Sequence, residues 1–414
     1  MQLLIKNVRQ VVTVAAKGKP WKAGTDMRDL GLIEDGTILI EADSIRWVGS
    51  AREFNLPLAE DATVIDATDL IALPGFVDAH THLVFAGSRE DEFAMRAEGK
   101  TYQQIAEQGG GILKTVRATR AATKKDLKKL ASRRLDDMMH HGTTTVEIKS
   151  GYGLTEPDEI KMLEAINELR EEHLMTIVPT FLGAHAIPPE YRDRREAYVD
   201  LVCERMLPYI GRKRLAVFCD VFCDKGYFTV EESRRILEEG RRHGLKAKLH
   251  AEELAASGGS QLAGELGALS ADHLEYVDDR GIEALKTAGV VGVLLPGVSF
   301  FLNHGYAPAR KLIDRNIPVA IASDFNPGSC MSFSIPLMMT IACTQMSMTP
   351  EEAITACTLN GAAALGLSHT VGTIEVGKQA DIILLNLPHY RYLPYFFGTN
   401  HVAKVIKRGT ILEF

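Results

Sequence analysis

Residues 71–82 read IALPGFVDAHTH, and the fold turns on how this stretch ends. Ile71–Ala79 is strand-like and runs into His80-Thr81-His82. Side chains alternate along a strand, so His80 and His82 project from the same side. Two imidazoles converging in this way make half of a metal site. Taken alone, the pair is also compatible with two unrelated polar residues at a strand end.

Outward from this stretch, short apolar runs alternate with longer helix-like segments. The strand candidates are Ile71–Ala79, Thr143–Lys149, Met175–Leu182, Leu215–Phe222, Lys246–Ala251, Ala268–Leu274, Val290–Leu295 and Ile317–Ser323. Helix candidates between them include Lys125–His140, Pro157–His173, Val230–His243 and Asp278–Ala288, with Thr155 as a cap and Pro157 in a first turn. Eight such alternations predict an α/β fold, a (β/α)8 TIM barrel. A doubly wound open sheet is the competitor that strand count alone does not exclude. Two further helix candidates, Phe333–Met346 and Pro350–Leu365, precede a return to strand-like sequence at 371–387 and 401–409. Residues 1–70 are β-rich as well. The expected organisation is a barrel over 71–366 and a small discontinuous β-sandwich built from 1–70 and 367–414.

Composition removes several classes of function. The 414 residues carry 47 Lys and Arg against 54 Asp and Glu, a net charge of −7, which leaves no electrostatic footprint for nucleic acid or an anionic membrane. At 46% hydrophobic and 24% charged residues the chain is expected to bury a core, not to be disordered. No run of eighteen apolar residues is present, and the N-terminus reads as a strand and not a signal peptide. The six cysteines contain no CxxC pair, and the Cys219/Cys223 spacing lacks a second pair for a metal. They read as thiols of a reducing compartment, hence the cytoplasm.

The other strand ends add to His80 and His82. His185 follows the third, His250 lies in the fifth, His273 lies in the sixth, and the eighth runs into Asp324. A lone histidine is more often structural than a ligand, but barrel chemistry gathers at these ends. Three neutral imidazoles and a carboxylate suit Zn²⁺ or Fe²⁺ with a position left for water. The metal would lower the pKa of that water to about 7, and Asp324 could pass its proton to the leaving group. Strict alternation puts Glu252 on the His250 face, whereas a helical curl puts Glu253 there, and the choice stays open on this reading. His304 follows the seventh strand and is a further candidate to reach the site. Gly109-Gly110-Gly111 could cradle an anion at a helix N-terminus or form a lid. His140-His141 reads as a helix terminus favoured by the dipole.

These residues resemble the amidohydrolase superfamily. The resemblance is carried by PGFVDAHTH (74–82), FAGSREDEF (85–93), GGGI (109–112), EIKSGYGL (147–154), FLGAHAIP (181–188), HAEE (250–253), SADHLEY (270–276), SDFNPGS (323–329) and GTIEVGKQADIILL (372–385). Within the superfamily the chain is most similar to enzymes that hydrolyse 4-imidazolone-5-propanoate to N-formimidoyl-L-glutamate in histidine degradation. The resemblance implies one zinc or iron ion per subunit on His80, His82, His250 and Asp324, and a homodimer. It implies catalytic roles for Asp324, His273, Glu253 and His185, with His273 near the developing oxyanion. Arg89 would clamp the substrate carboxylate, Tyr152, His185 and Glu253 (not Glu252) would contact the substrate, and Asn326, Gly328 and Ser329 would hold the product's glutamate end. Glu252 stands where Asp is expected, and Ser329 where Thr also fits. Lys149 is reminiscent of the carboxylated lysine of two-metal relatives but sits at a different strand end. A structural ion pair and a mononuclear site are therefore expected. One rival is a deaminase of a nucleobase-like heterocycle on the same scaffold, although Arg89 and SDFNPGS suit a carboxylate tail that a free base lacks. A non-catalytic scaffold is the other rival, and such a chain would be expected to lose ligands that all stand here.

Overall fold

The computed structural model describes residues 2–100, 104 and 109–412. Eight parallel strands follow one another in sequence order: β1 (Phe76–Asp78), β2 (Thr143–Lys149), β3 (Thr176–Ala184), β4 (Phe218–Cys223), β5 (Lys246–Ala251), β6 (Ser270–His273), β7 (Val291–Leu294) and β8 (Val319–Ile321). The ring closes just past the ends of β1 and β8. Thr81 bridges Phe325 in parallel. The Asp324 N–H donates to the His80 carbonyl at 3.0 Å, and the His82 N–H to that of Phe325 at 3.0 Å. Asp78 accepts the Ser323 N–H at 3.0 Å and its hydroxyl at 2.5 Å. The fold is the TIM barrel and not the open sheet.

Threonines start the helices as the sequence pattern requires. Thr123, Thr229 and Thr349 each form a reciprocal capping box with the acidic residue three positions on, and Thr155 caps the helix that carries Pro157. The run Pro350–Leu365 divides into Pro350–Ala356 and Leu359–Ala364, because Thr358 leaves helical backbone angles.

The run Ile71–Ala79 also divides. Ile71–Pro74 pairs with Ile382–Leu385 and with Gln2–Val12, whereas Phe76–Asp78 opens the barrel. The chain crosses at Gly75, where a Cβ would lie 2.3 Å from Thr144 side-chain atoms. Strands from both chain ends form one mixed eight-stranded sheet with its own apolar core, including Ile5, Val8, Ile38, Ile382 and Ile406. Among the described residues no helix is long and apolar enough to cross a membrane.

Barrel interiors are commonly filled by branched aliphatics. Here Glu147 and Lys149 of β2, Asp220 of β4, Lys248 of β5 and Asp272 of β6 are all fully buried. This charged floor lies directly beneath the ends of the strands.

Candidate metal centre and its cavity

The closure of β1 on β8 brings the predicted ligand atoms together. His80 Nε2 lies 3.5 Å from Asp324 Oδ1, His82 Nε2 lies 3.4 Å from the same oxygen, and His250 Nε2 lies 3.4 Å from His82 Nε2. Ligands about 2.1 Å from one tetrahedral ion sit about 3.4 Å apart, so the spacing of His80, His82 and Asp324 fits a shared cation, whereas His250 groups with His80 and His273. His80 Nε2 and Asp324 Oδ1 are buried without a hydrogen-bond partner, which is the signature of atoms awaiting one. Burial holds the His80 and His82 imidazoles well below their usual range, so both are neutral as metal ligands must be. Burial pushes the Asp324 carboxyl well above its usual range, with Glu253 adding to the effect. A bound cation is the group that would keep it ionised.

Carboxylates behind the imidazoles orient them. His80 Nδ1 donates to Asp272 at 2.7 Å, and His250 Nδ1 to Asp220 at 3.1 Å. Each contact leaves Nε2 with its lone pair facing the centre. Asp324 adopts φ 47°, a left-handed conformation that Asp tolerates better than most side chains. His273 at φ 82° stands nearby, and a second grouping of possible ligand atoms joins His80, His250 and His273.

A cavity of about 390 Å³ opens above the centre. Of the residues singled out from sequence, His82, Arg89, Tyr152, His185, His250, Glu253, His273, Asp324, Asn326, Gly328 and Ser329 line it. His80 lies fully buried beside it. Glu253 lines the cavity whereas Glu252 turns away at φ 60° and accepts the Gly258 N–H at 3.2 Å. Of the two acids only Glu253 faces the cavity, and the curl of the chain after β5 is the reason. Burial, with Asp224 adding to it, pushes the Glu253 carboxyl up to about 8. His273 Nε2 lies 3.5 Å from Glu253 Oε2.

Each wall of the cavity is braced from behind. Glu159 accepts the N–H groups of Gly151, Gly153 and Leu154 at 2.8–3.0 Å and so fixes the loop carrying Tyr152. The His185 Nδ1 donates to the Gly151 carbonyl at 3.0 Å, and its ring stacks on His82. Burial, reinforced by His250, brings His185 down to about 3, so it is neutral. Arg89 Nε and Nη2 reach Glu92 at 2.9 and 2.8 Å. Asn326 Oδ1 accepts the N–H groups of Gly328 and Ser329 at 2.8 Å, and Nδ2 donates to the Ser329 hydroxyl at 2.7 Å. Asn326 thus shapes the loop, while the Ser329 hydroxyl proton remains free to donate.

Sequence reasoning passed over several contributors. Arg96 lines the cavity and donates to the Gly328 carbonyl at 3.1 Å; it lies about two helical turns from Arg89 on the same face, and that spacing was the available signal. Asp220 and Asp272 are acids inside apolar strands, which is itself a signal. Glu92 holds Arg89 and also accepts the Gly111 N–H at 3.0 Å. The anion at that helix N-terminus is therefore the protein's own. His304 does not line the cavity. All six cysteines are free, and burial raises Cys219 well above and Cys223 to about 11 from the usual thiol range. Neither thiol is poised to bind a metal.

The sequence pattern of the amidohydrolase family matches residues 71–412. The chain belongs to this family, the class that the barrel and its histidine–aspartate centre define. Its similarity within the family is to imidazolonepropionases, with the whole length aligned. It is 49% identical to the imidazolonepropionase of Alkaliphilus metalliredigens over 414 residues, 100% of this chain and 98% of that one. It is 48% identical to that of Geobacillus thermodenitrificans over 99% of this chain and 97% of that one. Among solved structures, E. coli guanine deaminase superposes with a TM-score of 0.77 at 14% identity, covering 100% of this chain and 99% of that one. A triazine hydrolase variant gives 0.75 at 19% identity over 99% and 94%. At such identities these two report the shared fold alone.

Proposed function

We propose that this chain hydrolyses the cyclic amide of 4-imidazolone-5-propanoate to N-formimidoyl-L-glutamate, with one zinc or iron ion per subunit on His80, His82, His250 and Asp324. The observation that carries the reading is one cavity lined by several imidazoles and a carboxylate and also by Arg89, a fork suited to a carboxylate tail. The names of the full-length relatives support it.

His80, His82, His250 and Asp324 would hold a divalent ion there, which would polarise the carbonyl and supply a water that ionises near neutral pH. Arg89, Gly328 and Ser329 hold the propanoate end, and Tyr152 and His185 wall the ring. The reaction adds a water oxygen to the ring carbonyl carbon and a proton to the ring nitrogen as the bond between them breaks. Asp324 takes the proton of the attacking water. Glu253, protonated at neutral pH by its raised pKa, delivers a proton to the departing nitrogen and is reprotonated by the proton that Asp324 took. His273, held neutral by burial, donates its N–H toward the oxygen that gains charge.

The test is turnover of imidazolone propionate by purified protein, followed by loss of the ring chromophore and by product mass. Ammonia release from a heterocycle panel, with no imidazolone consumed, would instead favour a deaminase. The six free thiols suit the cytoplasm, and sedimentation would check the homodimer that the resemblance implies.

A further inference from the structure

Two guanidiniums line the cavity, those of Arg89 and Arg96. They converge on Gly328. A Cβ there would lie 2.1 Å from Arg89 Nη1, and Arg96 Nη1 donates to the Gly328 carbonyl at 3.1 Å. The two differ in net charge. Arg89 Nε and Nη2 are engaged by the buried Glu92 carboxylate at 2.9 and 2.8 Å, so that pair is neutral as a whole. Among the described residues Arg96 has no ion-pair partner, and its guanidinium lies 5.1 Å from the centre of the Phe301 ring. We infer that Arg96 is a specificity-determining residue: it supplies the net positive charge that selects a substrate with an anionic tail, while Arg89 directs hydrogen bonds to that tail. The inference rests on the function proposed above and adds a second cation to it.

The helix Glu90–Ala97 explains the placement. Arg89 precedes its first turn, Glu92 follows three residues on and Arg96 four further, so all three share one face. Phe93 packs on Phe301 with ring centres 5.4 Å apart, and Arg96 lies over the same ring. This seat holds the Arg96 stem before any ligand arrives, which lowers the entropic cost of binding. A tail carboxylate that met Arg89 alone would share one guanidinium with Glu92, two anions on one cation away from water. Their repulsion would cancel much of the attraction. With Arg96 beside it the group becomes two cations and two anions. Burial and the Arg89 charge lower the Arg96 guanidinium from its usual range while Glu92 raises it, so the three groups act on one another. An anion between the guanidiniums relieves their repulsion.

The test compares imidazole-4-propanoate, whose ring has no carbonyl to hydrolyse, with its neutral propanamide as competitive inhibitors of imidazolone propionate turnover. The wild type is expected to prefer the carboxylate. Arg96→Gln keeps a donor for the Gly328 carbonyl and removes the charge. Its Ki for the carboxylate and its KM for imidazolone propionate should rise about 10–100-fold, the scale of a hydrogen bond to a charged group, while Ki for the amide changes less than about threefold. Arg96→Lys keeps the charge and should retain most of the preference. Glu92→Gln added to Arg96→Gln frees the Arg89 charge and should return part of the preference, and no recovery would count against the inference. Equal losses for both inhibitors in Arg96→Gln would make Arg96 a brace of the Gly328 loop and overturn the inference. So would a wild-type preference in that variant, or a wild type that does not favour the carboxylate. If Arg96→Gln does not fold, Arg96→Met, equally neutral and with an apolar stem to cover Phe301, takes its place with the same expectations. Wild-type protein that leaves imidazolone propionate unconsumed would refute the functional reading itself.

Discussion

Asp220 engages His250 through both main chain and ring: its Oδ1 accepts the His250 backbone N–H at 3.1 Å and lies 3.1 Å from the ring Nδ1. Its other oxygen takes the Lys149 ammonium at 2.7 Å. One carboxylate thus ties a ligand's backbone, its tautomer and the barrel floor together. Burial alone would raise this carboxyl, yet the hydrogen bond from His250 and the Lys149 ammonium outweigh it and hold Asp220 well below its usual range.

Asp220→Asn keeps the shape but removes the charge that orients the imidazole. Metal affinity is expected to fall by about 10–100-fold, measured by chelator competition, with the circular dichroism spectrum unchanged. Wild-type affinity in the variant would remove Asp220 from any orienting role.

Stripping the metal should abolish turnover and lower the thermal midpoint, and added Zn²⁺ or Fe²⁺ should restore both. A ligand that binds only the folded chain stabilises it by about 2.7 kcal/mol at one hundred times its Kd. Full activity after exhaustive chelation would sink the metal mechanism.

Arg89 packs directly against Gly328, where a Cβ would lie 2.1 Å from Arg89 Nη1, and in the proposed function the two act as one recognition unit. Arg89→Lys loses the fork, and Gly328→Ala displaces it. Each is expected to raise KM about 10-fold or more, the scale of a charged hydrogen bond, with metal content intact. Steady-state kinetics beside elemental analysis would test this, and an unchanged KM in Arg89→Lys would take Arg89 out of the site.

Neighbouring acids should separate cleanly. Glu253→Gln is expected to lower kcat by about 10²–10⁴-fold, the usual worth of a positioned acid or base, and leave the thermal midpoint near wild type. Glu252→Gln weakens the turn to Gly258 and should lower stability by about 1–3 kcal/mol while kcat stays close to wild type. Kinetics and thermal melts on the pair decide, and the reverse pattern would exchange their roles.

The barrel and the upper half of the site were legible because their signals are local. Periodicity changed at Ile71, and polar residues recurred at strand ends. Ile71–Ala79 appeared as one strand because hydrophobicity is continuous across Gly75; only the pairing partners reveal that two sheets share it. Asp220, Lys248 and Asp272 were missed because isolated charges inside apolar strands acquire a meaning only when the ring closes and sets them face to face. Strand periodicity left Glu252 and Glu253 open, because the left-handed turn at Glu252 leaves no mark in composition, and only the family resemblance pointed to Glu253. Arg96 was masked by the stronger motif around Arg89.

The seam between β1 and β8 has a consequence for biogenesis. Chain synthesis releases His80, His82 and His250 well before Asp324, and Asp324 reaches them only when the last strand docks beside the first. A nascent or truncated chain therefore owns the imidazoles without the carboxylate that completes them. On the proposed metal reading, a complete ligand set exists only once the barrel has closed at this last joint.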